Sequence, residues 1–285
     1  MKRCLVIGSG SMLGVELCTQ LAAAQNEVLR CGRSAPADVI YDLASLAPPP
    51  ASPLGTIDAV FVCAAHFQSN SFDQCIESAL VNNVSSIRVA EWCDRLDSKH
   101  VIMAGSVWSD PVAVPSIYGL TKAQGEQMMQ LLCQQADRPL SVLRLPQLCD
   151  DHGRCARHQP WYSRIVACAA AGQDLRLAPG DAPRSFLHVS DAARAMINAW
   201  LKGVGGTHAL VSGESLTYRG IAGLAYKVFQ KGGRVVEDPE MNPFRPVRFP
   251  PASSQADDLL GTIHIEMEEA LTRIRDMGTS AFFPA

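Results

Sequence analysis

Residues 3–31 read RCLVIGSGSMLGVELCTQLAAAQNEVLRC, and the order of apolar and glycine positions in this stretch decides the fold. Cys4 to Ile7 is an unbroken apolar run, the pattern of a strand buried on both faces. Gly8, Gly10 and Gly14 follow, Leu13, Leu17, Leu21 and Ala24 recur at helical spacing, and Glu27 to Cys31 gives a second strand. Strand, glycine turn, helix and strand within about 30 residues form a βαβ unit, whose crossover favours a parallel sheet. The glycines sit where a tight turn aims the N–H groups of a helix start at an anion, so the turn is read as a dinucleotide site. The competing reading is a turn that needs glycine for packing alone.

The alternation continues outward. Val39 to Leu43 is a weak strand, and the proline-rich stretch 47–53 is irregular. Ile57 to Ala64 is a strong strand, Cys75 to Leu96 a long helix, His100 to Ala104 a strand, Ile117 to Gln134 a helix and Leu140 to Leu145 a strand. The fold class expected is therefore α/β, a Rossmann-like doubly wound parallel sheet over residues 1–150. Beyond Pro146 the pattern loosens into helices over Trp161–Ala171, Val189–Lys202, Leu216–Gln230 and Glu266–Arg275. Short strands are expected at Ala209–Ser212 and Arg234–Glu237. Residues 151–285 are expected to form a small substrate lobe interleaved with the end of the main domain, closing over the carboxyl ends of the strands.

Of the 285 residues 47% are hydrophobic and 19% charged, an ordinary folded composition, and a net charge of −3 gives no general attraction to nucleic acid or anionic lipid. Ten cysteines are scattered without a Cys-x2-Cys pair, as in a reducing compartment. The apolar run after Lys2 and Arg3 is four residues long before Gly8, too short for export or a membrane span, so the expected location is cytoplasmic.

The second strand ends in VLRCGRS, where Arg30 and Arg33 stand and no acid appears before Asp38. Two guanidiniums there suit a ribose 2'-phosphate, which favours NADP(H) over NAD(H). Asp42 is the candidate for the adenine edge. Further on, PSIYGLTKAQGE places Tyr118 and Lys122 four residues apart on one helix face. A nearby ammonium lowers a phenol's pKa, so Tyr118 would move the proton while hydride passes between cofactor and carbon, and Lys122 would also bond the nicotinamide ribose.

Together these residues resemble the extended short-chain dehydrogenase/reductases, the group that contains the NAD(P)-dependent epimerases, dehydratases and nucleotide-sugar reductases. The resemblance runs through the glycine turn, Asp42-Leu43, IDAVFVCAAH (57–66), Asn83-Val84, YGLTK (118–122), LRLP (143–146), RSFLHVSDAARA (184–195) and LVSGESLTYRGIA (210–222). YGLTKAQGE looks most like the nucleotide-sugar 4-ketoreductases. The resemblance implies that Tyr118 and Lys122 are catalytic. It also implies that Ser11, Met12, Leu13, Leu43, Cys63, Ala64, Ala65, Asn83 and Leu145 line the cofactor, and that the protein dimerises through helices 75–96 and 117–134.

Three departures stand out. The family turn has glycines at its first, fourth and seventh positions, and here the fourth is Ser11 while Gly10 is third. The family's catalytic hydroxyl falls on Ala104 when Val107-Trp108 is aligned to its Val-Tyr pair, which leaves Ser106, and after it Ser109, as the candidate donor to the substrate oxygen; the competing reading is an N-cap or turn serine. Only 11 residues separate Ser106 from Tyr118, shorter than extended members usually have.

On the substrate side, Arg184 suits the phosphate of a nucleotide-linked substrate or else a structural ion pair, and Asp191 is placed as the cap of a helix 192–200. His66, Arg154, Arg157 and Trp161 are the further substrate candidates, and Arg245 and Arg248 could reach a phosphate or be solvated. Cys149, His152, Cys155 and His158 recur every three residues, but not with zinc-knuckle spacing, so no metal is assigned. The function expected is NADPH-dependent reduction of a carbonyl, with a nucleotide sugar as the candidate substrate. An epimerase or dehydratase using transient hydride exchange is the second reading, and a catalytically weak cofactor-binding protein the third.

Overall fold

The computed structural model describes residues 1–50, 55–113, 115–180, 182–211, 216–244, 247–261 and 264–282. Its centre is a parallel sheet containing β1 (Arg3–Ile7), β2 (Glu27–Gly32), β3 (Val39–Ile40), β4 (Ala59–Val62), β5 (Val101–Ser106), β6 (Leu140–Leu145) and the strand Gly206–Ala209. Across the sheet the order is Gly206–Ala209, β6, β5, β4, β1, β2, β3. Chain direction reverses its march across the sheet between β1 and β4, and the carboxyl edge at that point is where open α/β sheets bind ligands.

The period of two in β1 separates the helix layers. Cys4 and Val6 face Leu13, Leu17 and Leu21 of α1 (Met12–Ala23), whereas Leu5 and Ile7 face the layer holding Trp92 and Met129. That second layer contains α2 (Phe72–Ala79), α3 (Ser85–Arg95) and α4 (Ile117–Gln135). The single helix expected over 75–96 is interrupted by a π-helical turn, Leu80–Val84. Such turns rotate the following face by one residue and recur at functional sites. Gly125 of α4 makes room for this turn, because a Cβ there would lie 1.9 Å from the Asn82 carbonyl oxygen.

The remaining helices form a separate lobe only in part. α5 (Pro160–Ala171), α7 (Tyr218–Phe229) and α9 (Met267–Met277) enclose their own core of Tyr162, Ile165, Ile221 and Leu271. Between them α6 (Val189–Leu201) returns to pack with α1, and α8 (Ala256–Leu260) joins that layer. The short strand expected at 209–212 lies at 206–209 instead and pairs with β6, so it extends the main sheet; residues 212–215 lie outside the described residues. The expected Asp191 cap is corrected as well. α6 starts three residues earlier, with His188 as N-cap, and the buried Asp191 carboxylate binds Arg194 at 2.6 Å and the Ile265 N–H at 2.7 Å. No helix among the described residues is long and apolar enough to cross a membrane.

Candidate active site

Tyr118 and Lys122 lie in the first turns of α4, which Ser116 caps by accepting the Gly119 N–H at 3.0 Å. A Cβ on Gly119 would stand 2.3 Å from the Trp108 carbonyl oxygen, so glycine lets the helix start press against the turn after β5. Lys122 is 2% exposed, and its Nζ donates to the Ala104 carbonyl at 2.6 Å. β5 runs two residues beyond the expected end at Ala104, through Ser106, which stays in register with Leu145. The Ser106 hydroxyl accepts the Trp108 N–H at 3.2 Å and lies near enough to the Tyr118 phenol to lower its pKa.

The electrostatics differ from the sequence reading. Burial pushes the Tyr118 phenol up to about 12; the nearby Ser106 hydroxyl pulls it down and the Glu126 carboxylate pushes it up. Lys122 falls below its ordinary value because burial disfavours its charge, with Glu126 and Cys63 opposing. The expected lowering of the phenol by Lys122 is thus overturned: burial outweighs the opposing pull of Ser106, and the ammonium is directed at a strand carbonyl. Phe67 stacks on the Tyr118 ring at 5.0 Å and meets His158 at 4.8 Å, so an aromatic side chain covers the phenol. Neither Phe67 nor Glu126 was singled out from the sequence.

The glycine turn beside this corner fits a dinucleotide. Gly8 has φ +85°, and a Cβ on it would lie 2.6 Å from the Ala64 nitrogen; a Cβ on Gly14 would lie 2.2 Å from the Gly8 carbonyl oxygen. At Gly10 a Cβ would meet nothing within 4 Å, so the turn is open where an approaching diphosphate needs bare backbone. Ser11, in place of the family's middle glycine, caps α1 by accepting the Gly14 N–H at 3.0 Å. Leu13 is buried in the core and Met12 packs against both the main and lobe cores. Cys63 is buried, its N–H bonded to the Ile7 carbonyl, and Ala64 and Ala65 follow half-buried. Leu43 and Leu145 are core residues, and exposed Asp42 closes a turn by accepting the Ala44 N–H at 3.0 Å.

Asn83 is displaced from its expected place. Its amide reaches the exposed Gln124 at 3.3 Å, whereas Asn82, shifted inward by the π turn, is buried. Asn82 accepts the His66 N–H at 2.9 Å and donates to the His66 carbonyl at 2.8 Å and to Thr121 at 3.1 Å. It pins the loop after β4 to α4. The His66 ring turns to α2, with Nδ1 3.0 Å from Ser78 and Nε2 3.3 Å from Glu77, which corrects its reading as a substrate contact.

The other substrate candidates divide into two groups. The Arg184 guanidinium is buried 4.8 Å over Tyr218 and 5.8 Å over Phe244, and Trp161 meets Phe244 edge-on at 5.0 Å. The guanidinium is thus held against two aromatic rings, which fixes its position in the lobe. Arg154 belongs instead to a cleft of 160 Å³ with Met12, Glu16, Asp151 and Arg273, and Arg157 is exposed beside His158. Asp150 ties this segment by accepting the N–H groups of His152, Arg154 and Cys155, and Cys149 Sγ faces the Leu187 carbonyl. Arg245 lies outside the described residues.

Arg30 and Arg33 do not build a phosphate pocket. The Arg30 N–H is taken by the Asp38 carboxylate at 2.8 Å and its guanidinium lies by Cys18 of α1. Arg33 is 73% exposed and 4.0 Å from Glu77. An acid folded back on the end of β2 opposes a further negative charge there.

A profile of the NAD dependent epimerase/dehydratase family matches residues 4–211. Similar solved structures include a UDP-N-acetylglucosamine 4-epimerase from Bacillus cereus, 20% identical, covering 97% of this chain and 99% of that one, with a TM-score of 0.75. MoeE5 in complex with UDP-glucuronic acid and NAD is 20% identical, covers 96% and 98%, and has a TM-score of 0.77. A UDP-glucuronic acid 4-epimerase from Bacillus cereus in complex with NAD is 18% identical, covers 96% of both chains, and has a TM-score of 0.73. A search of curated proteins found no match. The matching family is NAD dependent and the last two structures hold NAD, which overturns the expectation of NADP(H) drawn from Arg30 and Arg33. With its nucleotide cradle, its β5–α4 corner and a family match over most of its length, the chain belongs to the NAD dependent epimerase/dehydratase family.

Proposed function

We propose that the protein is an NAD-dependent epimerase of a nucleotide-linked sugar, inverting one secondary alcohol carbon without net oxidation or reduction. The observation that carries this reading is the meeting of Ser106, Tyr118 and Lys122 at the carboxyl end of β5 beside the glycine turn. The reductase reading gives way because the similar structures named above include 4-epimerases. Bound NAD would supply the hydride acceptor, the same hydride for return, and a positive charge beside the phenol. Tyr118 takes the hydroxyl proton as the carbon is oxidised and returns it when the other face is reduced, so protons and electrons balance over the cycle. Ser106 donates to the oxygen that alternates between alcohol and ketone. Lys122, fixed on Ala104, presents its charge to the cofactor ribose.

Arg184, stiffened by Tyr218 and Phe244, binds the nucleotide's phosphates. The test is incubation with UDP-hexoses and UDP-hexuronic acids at a trace of NAD, followed by proton NMR of the sugar. Appearance of the epimer without stoichiometric NADH supports the reading, and stoichiometric consumption of NADH with a carbonyl substrate refutes it. In the same assay Arg184→Ala should raise KM by roughly tenfold or more, with a smaller change in kcat, as loss of a charged hydrogen bond predicts.

The protein acts as a homodimer in a reducing compartment such as the cytoplasm in this proposal. Phe72 (91% exposed), Ile76, Leu120 and Leu131 leave apolar surface on α2 and α4, and all ten thiols are unpaired. Light scattering should give twice the chain mass for the native protein and a shift toward the single-chain mass for Phe72→Glu; a native monomer would exclude the dimer.

A further inference from the structure

Glu126 stands one turn beyond Lys122 on the buried face of α4 and is 4% exposed. Its Oε1 accepts the Ser106 backbone N–H at 3.2 Å and the Ser109 hydroxyl at 2.6 Å. Its Oε2 accepts from Arg144 Nε of β6 at 2.9 Å, and Arg144 in turn pairs with Asp110 at 2.9 Å. Burying a carboxylate costs several kcal/mol unless its lone pairs are filled, so a buried acid with this many donors is a built feature. Access to it depends on Gly105. A Cβ there would lie 2.7 Å from Glu126 Oε1 and 2.8 Å from Val142 Cγ1, so any side chain at 105 would drive the carboxylate off the strand end.

We propose that Glu126 is a positioning residue, which fixes the turn 106–109 through the Ser106 N–H and the Ser109 hydroxyl and thereby aims the Ser106 hydroxyl at Tyr118. The geometry of Ser106 follows directly. Its N–H is held by Glu126 and its Oγ accepts the Trp108 N–H, which leaves the hydroxyl hydrogen free to be donated elsewhere. Ser106 lies at the last position of β5, where only the Leu145 side of the strand is still paired. The far side of that end has no neighbouring strand to hold it, because β4 pairs with β5 only as far as Met103. The Glu126 carboxylate replaces the missing strand contact with a side-chain one. A purely structural role makes a different prediction: the Arg144–Glu126 pair would tie α4 to β6, and the Ser109 bond would be incidental.

Two variants separate these. Glu126→Gln preserves size but cannot accept from both the turn and Arg144, and Ser109→Ala removes one bond to the turn while leaving the Arg144 pair intact. The kinetic arm rests on the epimerase reading. Glu126→Gln should lower kcat on the order of tenfold to a hundredfold with KM within about twofold, because a catalytic donor is misaimed while binding is untouched. In a Ser106→Ala background the same change should cost less than about twofold, since there is no hydroxyl left to aim. Ser109→Ala should lower kcat with the same split but less. Equal losses in both backgrounds, or an unchanged kcat for Ser109→Ala, would overturn the proposal.

A crystallographic arm needs no substrate. In Glu126→Gln, with thermal unfolding confirming a folded chain, the turn 106–109 should shift and carry the Ser106 Oγ away from its native position relative to the Tyr118 oxygen. An unmoved turn in both variants would overturn the positioning role. If native protein turns over no nucleotide sugar, the functional reading fails and this arm still decides the role of Glu126; if Glu126→Gln does not fold, Ser109→Ala decides it alone.

Discussion

Tyr118→Phe is expected to lower kcat on the order of a thousandfold while leaving NAD affinity and substrate KM within about twofold, as removal of a general acid–base group does. The ring itself stays, so the stacking on Phe67 and the packing of α4 are retained. What is lost is the phenol oxygen beside the Ser106 hydroxyl. The pH profile supplies a second signature. Burial raises the phenol to about 12 in the unliganded protein, so the proton-free form is scarce at neutral pH, and the oxidative half-reaction should speed up as pH rises toward the phenol's value in the loaded site. In Tyr118→Phe that rising limb should vanish. A variant that kept both its turnover and its limb would place the base elsewhere in the corner.

The parts of this corner that could be read from the sequence are those fixed by local period. Cys4–Ile7, Leu13–Leu17–Leu21 and the Tyr118–Lys122 spacing each depend on a strand or helix repeat, and the structure has β1, α1 and α4 at those places. What escaped depends on a shift of one or two residues or on a contact across the fold. The π turn over 80–84 rotates Asn82 inward and Asn83 outward, a change that apolar spacing does not report. β5 continues to Ser106 because β6 pairs with it that far, whereas the apolar run His100–Ala104 stops two residues early at Gly105. Asp38 lies eight residues beyond Arg30 and reaches its N–H only through the β2–β3 turn, so the end of β2 looked free of acid.

Glu126 did leave a trace. Lys122, Glu126, Met129 and Cys133 follow helical spacing on the buried side of α4, and a carboxylate inside an otherwise inward stripe asks for partners. Its partners, Ser106, Ser109 and Arg144, come from two other segments, which is why the stripe alone named no role. Phe67 left none, since an aromatic residue after β4 reads as ordinary loop until His158 of the second half is seen against it.

The cradle yields the second large effect, through two glycines that differ in what surrounds them. In Gly14→Ala the new Cβ would start 2.2 Å from the Gly8 carbonyl oxygen and 2.9 Å from the Ser9 Cα. These are backbone atoms that cannot rotate aside, so α1 must retreat and strain the Ser11 cap on the Gly14 N–H. Overpacking costs about 1–3 kcal/mol and a weakened cap about 1 kcal/mol. The melting temperature should therefore fall by roughly 5 °C or more, and NAD affinity by about a hundredfold as the turn leaves its place. Gly10→Ala adds its methyl to open space, with nothing within 4 Å, and should leave the melting temperature of the unliganded protein within about a degree. If that space is where the diphosphate meets the backbone, Gly10→Ala must still weaken NAD by about tenfold or more, because the methyl displaces the anion from its N–H donors. Calorimetry of NAD binding beside thermal unfolding gives both numbers for each variant. Unchanged NAD affinity in Gly10→Ala would mean that the cofactor does not lie across this turn, and the site built on Tyr118 would have to be oriented from another edge of the sheet.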